Sequence, residues 1–396
     1  MRTIRVTSSA GPYNVYCGRG ALARAASLIA RLGDSTGTFL LSSPRVWRHW
    51  GKAVSARIPG AAARRTILFD DRESAKRLSA VEGIARHLVR AGADRRAVLV
   101  AVGGGVVGDV AGFAAATYLR GVRLVHIPTT LVAQVDSAIG GKTGVDLPEG
   151  KNLVGAFYPP RLVIADPETL RTLPHREYRA GLYEVIKYGV IADAKLFEFL
   201  ERRMDAVLRR DPAALAYIIP RSAAIKARVV SADEREGGLR QILNFGHTLG
   251  HALETATGYR RFLHGEAIGW GMIAATMIAM AAERLSMTDS FRIIRLVMSV
   301  GPLPSIPKIS PAKLRAILAG DKKARGGSVL WVLPTRIGNT EWGIEVPGTF
   351  IEKLVGALPE IFNEWDDVPI IGKVVGRKLP SRAVSQRAGL RAKADC

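Results

Sequence analysis

Three of the seven histidines lie close together in a mostly apolar part of the chain. In His247-Thr-Leu-Gly-His251 the two imidazoles are four residues apart, which places them on one face of a helix. His264 follows shortly afterwards, and upstream Glu184 and Lys187 share a face of another helical pattern. Two imidazoles and a carboxylate are the minimum of a catalytic zinc site with an open position for substrate. We therefore predict a divalent metal site, with helix-capping histidines as the structural alternative.

The residue types also limit which metal site this can be. A zinc protease would carry Glu after the first histidine, where this chain has Thr248. The only cysteines, Cys17 and Cys396, exclude a disulfide scaffold and a cysteine-rich zinc framework. A ligand set of His and carboxylate accepts zinc or cobalt.

A polar, glycine-rich segment with two lysines interrupts the apolar sequence at residues 136–152. Gly140-Gly-Lys-Thr invites comparison with a Walker A loop, but the first glycine of that motif would replace Asp136. The lysines, Lys142 and Lys151, precede Asn152, and together they suit a phosphate or carboxylate ligand. We interpret the segment as an anion-binding loop; a merely solvated loop is the alternative.

A glycine-rich turn, Gly103–Asp109, follows an apolar strand and begins a helix. Glycines there allow a phosphate to approach the backbone, and the helix N-terminus offers unpaired N–H groups. The spacing differs from the usual dinucleotide motif, so a tight turn without a ligand is the alternative. A second turn, Pro128-Thr129-Thr130, follows the next strand and should lie at the same edge of the sheet. Two such turns favour a dinucleotide in the crevice.

The elements that position these turns alternate between strand and helix. Strands are predicted at residues 38–41, 97–102, 124–127 and 162–165, and helices at 79–90 and 106–118. This alternation predicts a mostly parallel sheet covered by helices, an α/β Rossmann-like dinucleotide-binding domain over residues 1–172.

The pattern becomes mainly helical in a second, metal- and substrate-binding domain at residues 173–362. Within it we predict breaks at 211–212, 237–238 and 258, strands at 329–333 and 341–344, and a last helix at 349–362. The apolar stretch 267–282 is too short for a membrane span, so we expect a buried helix. The basic tail, 363–396, is rich in Pro and Gly and is predicted to be loosely ordered.

The net charge of +22 raises the hypothesis of a nucleic-acid-binding protein, the non-enzyme alternative. However, the arginines are scattered along helices without interleaved aromatic residues, which disfavours it. A basic protein also attracts small anionic substrates. No apolar signal segment follows Met1, so we expect a cytoplasmic protein without membrane contacts. From the residues alone, a metal-assisted dehydrogenase of a phosphorylated polyol satisfies these observations.

Taken together, these motifs resemble the 3-dehydroquinate synthase family of the sugar-phosphate cyclases, over about residues 1–361. Further matching blocks are Arg120-Gly121, Glu184–Gly189, Asp233–Glu236, Asn244–His251, His264–Glu266 and Asp321–Lys323. The resemblance implies a lyase of the shikimate pathway, in aromatic amino acid biosynthesis. Such an enzyme converts the sugar-phosphate acid 3-deoxy-D-arabino-heptulosonate 7-phosphate to 3-dehydroquinate and phosphate, using NAD and a divalent metal. A homodimer is also implied.

The resemblance also implies roles for individual residues. The metal ligands are Glu184, His247 and His264. NAD-binding residues are Glu73, Lys76, Gly104, Gly105, Asp109, Thr129, Thr130, Lys151, Thr169 and Thr172. Substrate-binding residues are Arg120, Asp136, Lys142, Asn152, Lys187, Lys226, Arg240, Asn244, His251 and Lys322. Catalytic roles fall to Glu236 and His251 in proton transfer and to Lys142 and Arg240, and Arg120 reaches the phosphate from a neighbouring subunit.

One segment departs from the family pattern. Family members carry an Asp after the second strand, to bond the adenosine ribose, whereas this chain reads Leu-Ser-Ser-Pro-Arg at residues 41–45. A cyclase of the same superfamily acting on sedoheptulose 7-phosphate is one alternative, and a glycerol-type metal dehydrogenase is another. Arg240, with Lys226 before it, favours the synthase because a guanidinium binds the substrate carboxylate that sedoheptulose 7-phosphate lacks.

Overall fold

The computed structural model describes residues 1–58, 63–320 and 328–363. The chain forms two compact units. Unit 1 contains Met1–Tyr178 and Arg210–Arg235, and unit 2 contains Arg179–Arg209 and the chain from Glu236 onward. Lys322 and residues 364–396 lie outside the described residues. The prediction of a loosely ordered tail concerns this part of the chain and stays a prediction. The division into domains at residue 172 stays a prediction.

The described residues form helices and strands with the following bounds. The helices are α1 (Ala25–Ala30), α2 (Pro44–Ser55), α3 (Leu78–Arg90), α4 (Gly105–Thr117), α5 (His175–Ala192), α6 (Ala194–Leu208), α7 (Pro212–Ala232), α8 (His247–Ala256), α9 (His264–Ala281), α10 (Met287–Ser299), α11 (Pro311–Gly320) and α12 (Gly348–Asn363). The strands are β1 (Arg2–Val6), β2 (Tyr13–Cys17), β3 (Thr38–Ser42), β4 (Thr66–Leu68), β5 (Val98–Gly103), β6 (Arg123–Pro128), β7 (Lys142–Leu147), β8 (Gly150–Phe157), β9 (Leu162–Ala165), β10 (Ser328–Arg336) and β11 (Asn339–Pro347).

Unit 1 is built on a seven-stranded sheet in the order β1-β2-β9-β6-β5-β3-β4. Every pairing from β2 to β4 is parallel, and β1 pairs antiparallel with β2 at the edge. Every residue of β3, β5 and β9 is buried, as expected for strands covered by helices on both faces. The predicted α/β class is confirmed. The edge strands β1 and β4 escaped prediction because they are short and partly exposed, with no continuous apolar run.

The predicted anion-binding loop at 136–152 is wrong as a description of local structure. Residues Ala133–Ser137 form a π-helical turn, and β7 and β8 form an antiparallel hairpin that continues to Phe157. Hydrogen bonds between β7 and β8 pair the backbone N–H and C=O groups of this segment, and β7 packs against α4. At Gly155 a Cβ atom would overlap the Thr143 carbonyl oxygen, so glycine allows the two strands to approach closely.

Unit 2 is mainly helical, and two glycines bring its central helices together. A Cβ at Gly265 of α9 would overlap the carbonyl oxygen of Ala180 on α5. A Cβ at Gly271 of α9 would overlap the carbonyl oxygen of Gly246, which precedes α8. Glycine at both positions therefore lets α9 contact α5 and the start of α8 at backbone distance. This close approach positions the metal-site residues described below.

The apolar stretch at 267–282 forms most of α9, which is buried on nearly all sides, as predicted. Among the described residues, no helix combines the length and apolarity that a membrane span requires. The predicted strand pair is the hairpin β10–β11, and the predicted last helix is α12.

Candidate active site

Three elements of unit 2 bring the predicted metal ligands together. Glu184 lies on α5, whereas His247 and His264 are the first residues of α8 and α9. The Nε2 atoms of His264 and His247 lie 3.5 and 3.8 Å from Glu184 Oε1. The three ligand atoms are all within 4.8 Å of one another, and the Glu184 side chain is 1% exposed. This buried set of two imidazoles and one carboxylate fits a divalent metal.

A hydrogen bond at the opposite nitrogen orients each imidazole. His247 Nδ1 lies 3.1 Å from the Phe245 carbonyl oxygen, and His264 Nδ1 lies 3.2 Å from Glu254 Oε2. Both acceptors call for the tautomer with hydrogen on Nδ1, which leaves each Nε2 directed at Glu184 as a metal donor.

The surroundings of the cluster shift the pKa values of His247 and His264 in opposite directions. Burial, followed by the positive charge of Lys187, lowers the pKa of His247 well below its usual value. Burial also opposes protonation of His264, but Glu254 and Glu184 outweigh it and raise the pKa to about 10. Lys187 is 1% exposed and pairs with Glu184, one turn away on α5. In the metal-free protein, His264 is therefore the protonated member of the cluster.

The predicted proton-transfer and carboxylate-binding residues also lie in unit 2. The His251 ring is 5.2 Å from that of His247, centroid to centroid. Asn244 Nδ2 donates to Glu236 Oε1 at 2.6 Å, and Arg240 lies on the same short 3-10 helix as Asn244 and is buried. Glu236 has a positive φ of 61°, a conformation that costs free energy in a non-glycine residue and often marks functional positions.

In unit 1 the two predicted turns meet at one edge of the sheet. The Thr129 amide donates to the Gly103 carbonyl at 2.9 Å. A crevice of about 210 Å³ at this edge is lined by Gly104, Gly105, Thr129, Thr130 and Thr172, among others. A Cβ at Gly104 would lie 2.8 Å from Thr130 Cγ2, so the bare backbone keeps the crevice open. The crevice fits a dinucleotide phosphate at the N-terminus of α4.

Five predicted ligand residues of unit 1 form an ion-paired cluster. Lys76 Nζ lies 2.6 Å from Asp109 Oδ2 and 2.5 Å from Asn152 Oδ1. Lys151 Nζ lies 3.1 Å from Glu73 Oε1. Burial would lower the pKa of the Lys76 ammonium, but Asp109 and Glu73 raise it above its usual value. Lys76 therefore carries a charge in a nearly buried position.

Four other predicted substrate residues occupy three separate positions in unit 1. Lys226 on α7 pairs with Asp136 at 2.8 Å. Lys142 is exposed at the first position of β7. Arg120 is exposed, has a positive φ of 65°, and makes no ion pair within the described part of its own chain.

The chain matches two family models, described as the N-terminal and C-terminal parts of 3-dehydroquinate synthase, over residues 66–180 and 181–324. A curated relative, 3-dehydroquinate synthase from Koribacter versatilis (strain Ellin345), is 45% identical over 348 residues, or 87% of this chain and 95% of the relative. The chain belongs to the 3-dehydroquinate synthase family.

Solved structures similar to this chain include two other synthases. A 2-deoxy-scyllo-inosose synthase complexed with carbaglucose-6-phosphate, NAD+ and Co2+ matches with a TM-score of 0.79 and 30% identity, covering 89% of this chain and 99% of that one. The 2-epi-5-epi-valiolone synthase of Streptomyces hygroscopicus subsp. jinggangensis 5008, with NAD+ and Zn2+ bound, matches with a TM-score of 0.78 and 30% identity, covering 88% and 97%.

Two threonines expected to bind NAD in this family member differ in position. Thr172 lines the crevice, where its hydroxyl accepts a hydrogen bond of 2.8 Å from Trp50 Nε1. Thr169 is 1% exposed, and its hydroxyl donates to Asp166 O and accepts from Gln134 Nε2. The structure therefore does not bring the Thr169 side chain to the crevice; the residue orders the backbone behind it.

The crevice also contains a carboxylate that sequence reasoning missed. Asp71 follows β4, which pairs with β3, and it lies in the crevice beside Ser43. Ser43 Oγ donates to Asp71 Oδ2 at 2.9 Å, and Arg45 Nη2 lies 3.2 Å from the same oxygen. Arg45 also pairs with Glu177. The only sequence signal was the pair of acids at residues 70–71 after a short apolar run.

Proposed function

We propose that this chain is an NAD- and metal-dependent cyclase that converts 3-deoxy-D-arabino-heptulosonate 7-phosphate to 3-dehydroquinate and phosphate. The observation that carries the proposal is the buried Glu184–His247–His264 set, in a chain that aligns with 95% of the length of a curated 3-dehydroquinate synthase. The two related cyclases with bound NAD+ and Co2+ or Zn2+ support the same pair of cofactors.

The proposed metal ligands are Glu184, His247 and His264. When bound, zinc or cobalt supplies Lewis acidity to a substrate hydroxyl and to the ketone formed from it. Lys187 offsets the charge of the buried Glu184 carboxylate, so the ligand set is not left with an uncompensated anion.

The proposed NAD-binding residues are those of the crevice and of the ion-paired cluster. Gly104 and Gly105 present backbone N–H groups to the pyrophosphate, and Thr129 and Thr130 lie beside them. The cofactor supplies reversible hydride acceptance at one carbinol carbon. The Lys76 cluster is held together by ion pairs and hydrogen bonds within the chain, so its charges are fixed in position for that part of the site.

For proton transfer we propose Glu236 and His251. The amide of Asn244 holds the Glu236 carboxylate in one orientation, and His251 lies beside the proposed metal ligands. Both residues can hold or move a proton near the reacting carbons.

Substrate recognition is proposed to rest on fixed cations that suit a phosphate and a carboxylate, together with polar and acidic side chains. The residues are Arg120, Asp136, Lys142, Asn152, Lys187, Lys226, Arg240, Asn244, His251 and Lys322, of which Lys322 lies outside the described residues. Arg240 is buried, and a guanidinium binds a carboxylate through two parallel hydrogen bonds, which sedoheptulose 7-phosphate cannot accept because it lacks the acid. Arg240 therefore favours the carboxylate-bearing substrate over sedoheptulose 7-phosphate.

The test is phosphate release with the heptulosonate phosphate, NAD and Co2+, followed by product identification. We expect 3-dehydroquinate, no net NADH over many turnovers, and a preference of about a thousandfold in kcat/KM over sedoheptulose 7-phosphate. Arg240→Ala should remove most of that preference by weakening the acid substrate. Comparable turnover of sedoheptulose 7-phosphate would contradict the substrate assignment, and steady NADH accumulation would indicate a dehydrogenase instead.

The proposal includes a homodimer and a cytoplasmic location, where NAD and sugar phosphates are available. Exposed Arg120, without an ion pair among the described residues, supports a role in a neighbouring subunit. Mixing Arg120→Ala chains with His264→Ala chains should restore part of the activity, because one mixed site keeps both native residues. Verified mixed dimers without such rescue would show that Arg120 acts within its own chain.

A further inference from the structure

Glu254 is a buried acid on α8 that has no part in the function proposed above. Its side chain is 4% exposed, and it lies two turns after His247 and one turn after His251 on the same helix. A carboxylate in such a position is costly unless a partner offsets its desolvation.

The partner is a proposed metal ligand. Glu254 Oε2 lies 3.2 Å from His264 Nδ1, while the Nε2 atom of the same ring lies 3.5 Å from Glu184 Oε1. His264 is thus held between two carboxylates, one at each ring nitrogen. Contacts at both nitrogens restrict rotation of the ring about its χ2 bond and select the tautomer that presents Nε2 to a metal.

The two proposed histidine ligands differ in this respect. His247 Nδ1 faces the neutral carbonyl of Phe245, two residues earlier in the chain. His264 Nδ1 instead faces a charged side chain ten residues earlier in the chain. A carboxylate partner also makes an imidazole a more basic metal donor than a carbonyl partner does.

His264 and Glu254 also belong to a second group of possible metal ligands. Ligand atoms of His251, Glu254 and His264 also lie within 4.8 Å of one another, so they could hold a cation of their own. Such a cation would need His264 Nδ1, the atom that faces Glu254, and His264 would then bridge two metals as an imidazolate. One metal with a hydrogen-bonded histidine requires no such deprotonation, and the geometry favours it.

We infer that Glu254 is a positioning residue, which fixes the tautomer and ring orientation of His264 for metal binding. The inference rests on the proposed function, because it assumes that His264 binds the metal. It predicts that removal of the Glu254 acceptor weakens metal binding although no ligand atom is lost.

The test compares metal-free wild-type protein with Glu254→Ala and Glu254→Gln, using Co2+ alone as the probe. Competition with a chelating dye gives the Kd, and the visible absorption of bound Co2+ reports the geometry of its ligands. We expect Glu254→Ala to weaken Co2+ binding by about 10- to 100-fold and to change the spectrum. Glu254→Gln should recover much of the loss, because its amide oxygen still accepts from Nδ1–H.

The matched control is Glu266→Gln. Glu266 is another buried acid, two residues from His264, and it accepts a hydrogen bond from the Leu263 amide at the start of α9. Glutamine preserves this cap, so Co2+ affinity and spectrum should stay at wild-type values. Thermal unfolding of each metal-free variant shows whether a change in affinity follows from damage to the fold.

Three outcomes would overturn the inference. The first is a folded Glu254→Ala variant with wild-type Co2+ affinity and spectrum, which would leave Glu254 without a role at the metal. The second is two Co2+ ions per wild-type chain with only one lost in Glu254→Ala, which would make Glu254 a ligand of a second site. The third is a wild-type chain that binds no Co2+, which would contradict the proposed function itself and the inference with it.

Discussion

The two units contrast in how they treat buried charge. In unit 1 the protein supplies both partners: Lys76 is paired with Asp109, and Lys226 with Asp136. Each pair is held by the attraction of two charges on the chain itself. The polypeptide therefore organises these parts of the proposed cofactor and substrate sites.

Unit 2 also pairs the buried Glu184 with Lys187, but it gathers three imidazoles beside this pair. The rings of His247, His251 and His264 have centroids 5.2 to 5.8 Å apart, and Glu184 faces two of them. Such a set leaves a position for one added cation. Ion pairs within the chain thus dominate the proposed sites of unit 1, whereas the proposed role of unit 2 depends on a bound metal.

The largest effect is expected from loss of the metal. His264→Ala, or chelation of the wild type, should lower kcat/KM at least about a thousandfold, because the Lewis acid contributes several kcal/mol to the transition state. Metal content by atomic emission and phosphate release measure the change, and Zn2+ or Co2+ should restore the chelated wild type. His87→Ala, at a half-buried position of α3 outside both proposed sites, is the control. Full activity in a metal-free preparation would show that unit 2 does not depend on a metal.

Breaking a pair in unit 1 should damage NAD binding while leaving the metal in place. In Lys76→Met the nearly buried Asp109 loses its cation, and we expect NAD binding to weaken about a hundredfold. Calorimetric titration with NAD gives the Kd. Lys52→Met, at an exposed position of α2, serves as the control. A Lys76→Met protein that loses its metal instead would show that the two units are not independent in this respect.

A buried histidine of unit 1 offers a contrast with the metal cluster. Burial lowers the pKa of His126 to about 4, so it stays neutral in the folded chain. Its ordinary value is 6.5, and the unfolded chain therefore binds more protons below that pH. Stability should fall as pH drops from 6.5 towards 4, by about 2 kcal/mol at pH 5. Urea unfolding of wild type and His126→Leu measures this; an equal pH dependence in both would contradict it.

A smaller effect is expected at the ribose end of the crevice. Asp71→Asn should weaken NAD binding about tenfold, because one charged hydrogen bond is replaced by a neutral one. The neighbouring Asp70 pairs with Arg72 on the surface, so Asp70→Asn is the matched control. Equal NAD affinity in both variants would show that Asp71 does not take the place of the missing acid.

The smallest effect is expected from removing residues 364–396. No residue proposed for either site lies in this part of the chain, so kcat should stay within about twofold of the full-length value. Phosphate release by a chain ending at Asn363 measures it. A large loss of kcat would show that the two units do not contain the whole catalytic apparatus.

Local patterns in the sequence were sufficient for several elements of both units. Continuous apolar runs predicted β3, β5, β6 and β9 because buried parallel strands need them. The hairpin β7–β8 was missed, since its polar, glycine-rich composition is typical of a loop.

The sequence alone was sufficient to predict the residues of the metal cluster and the turns that form the crevice. Spacing alone placed His247 and His251 on one helical face, because the helix repeat is the same in every fold. The contacts of Glu254 with His264 and of Asp71 with Ser43 are visible only in the folded chain. These contacts depend on how α8 packs on α9 and β4 pairs with β3. Packing of this kind is a property of the assembled core, which local sequence does not encode.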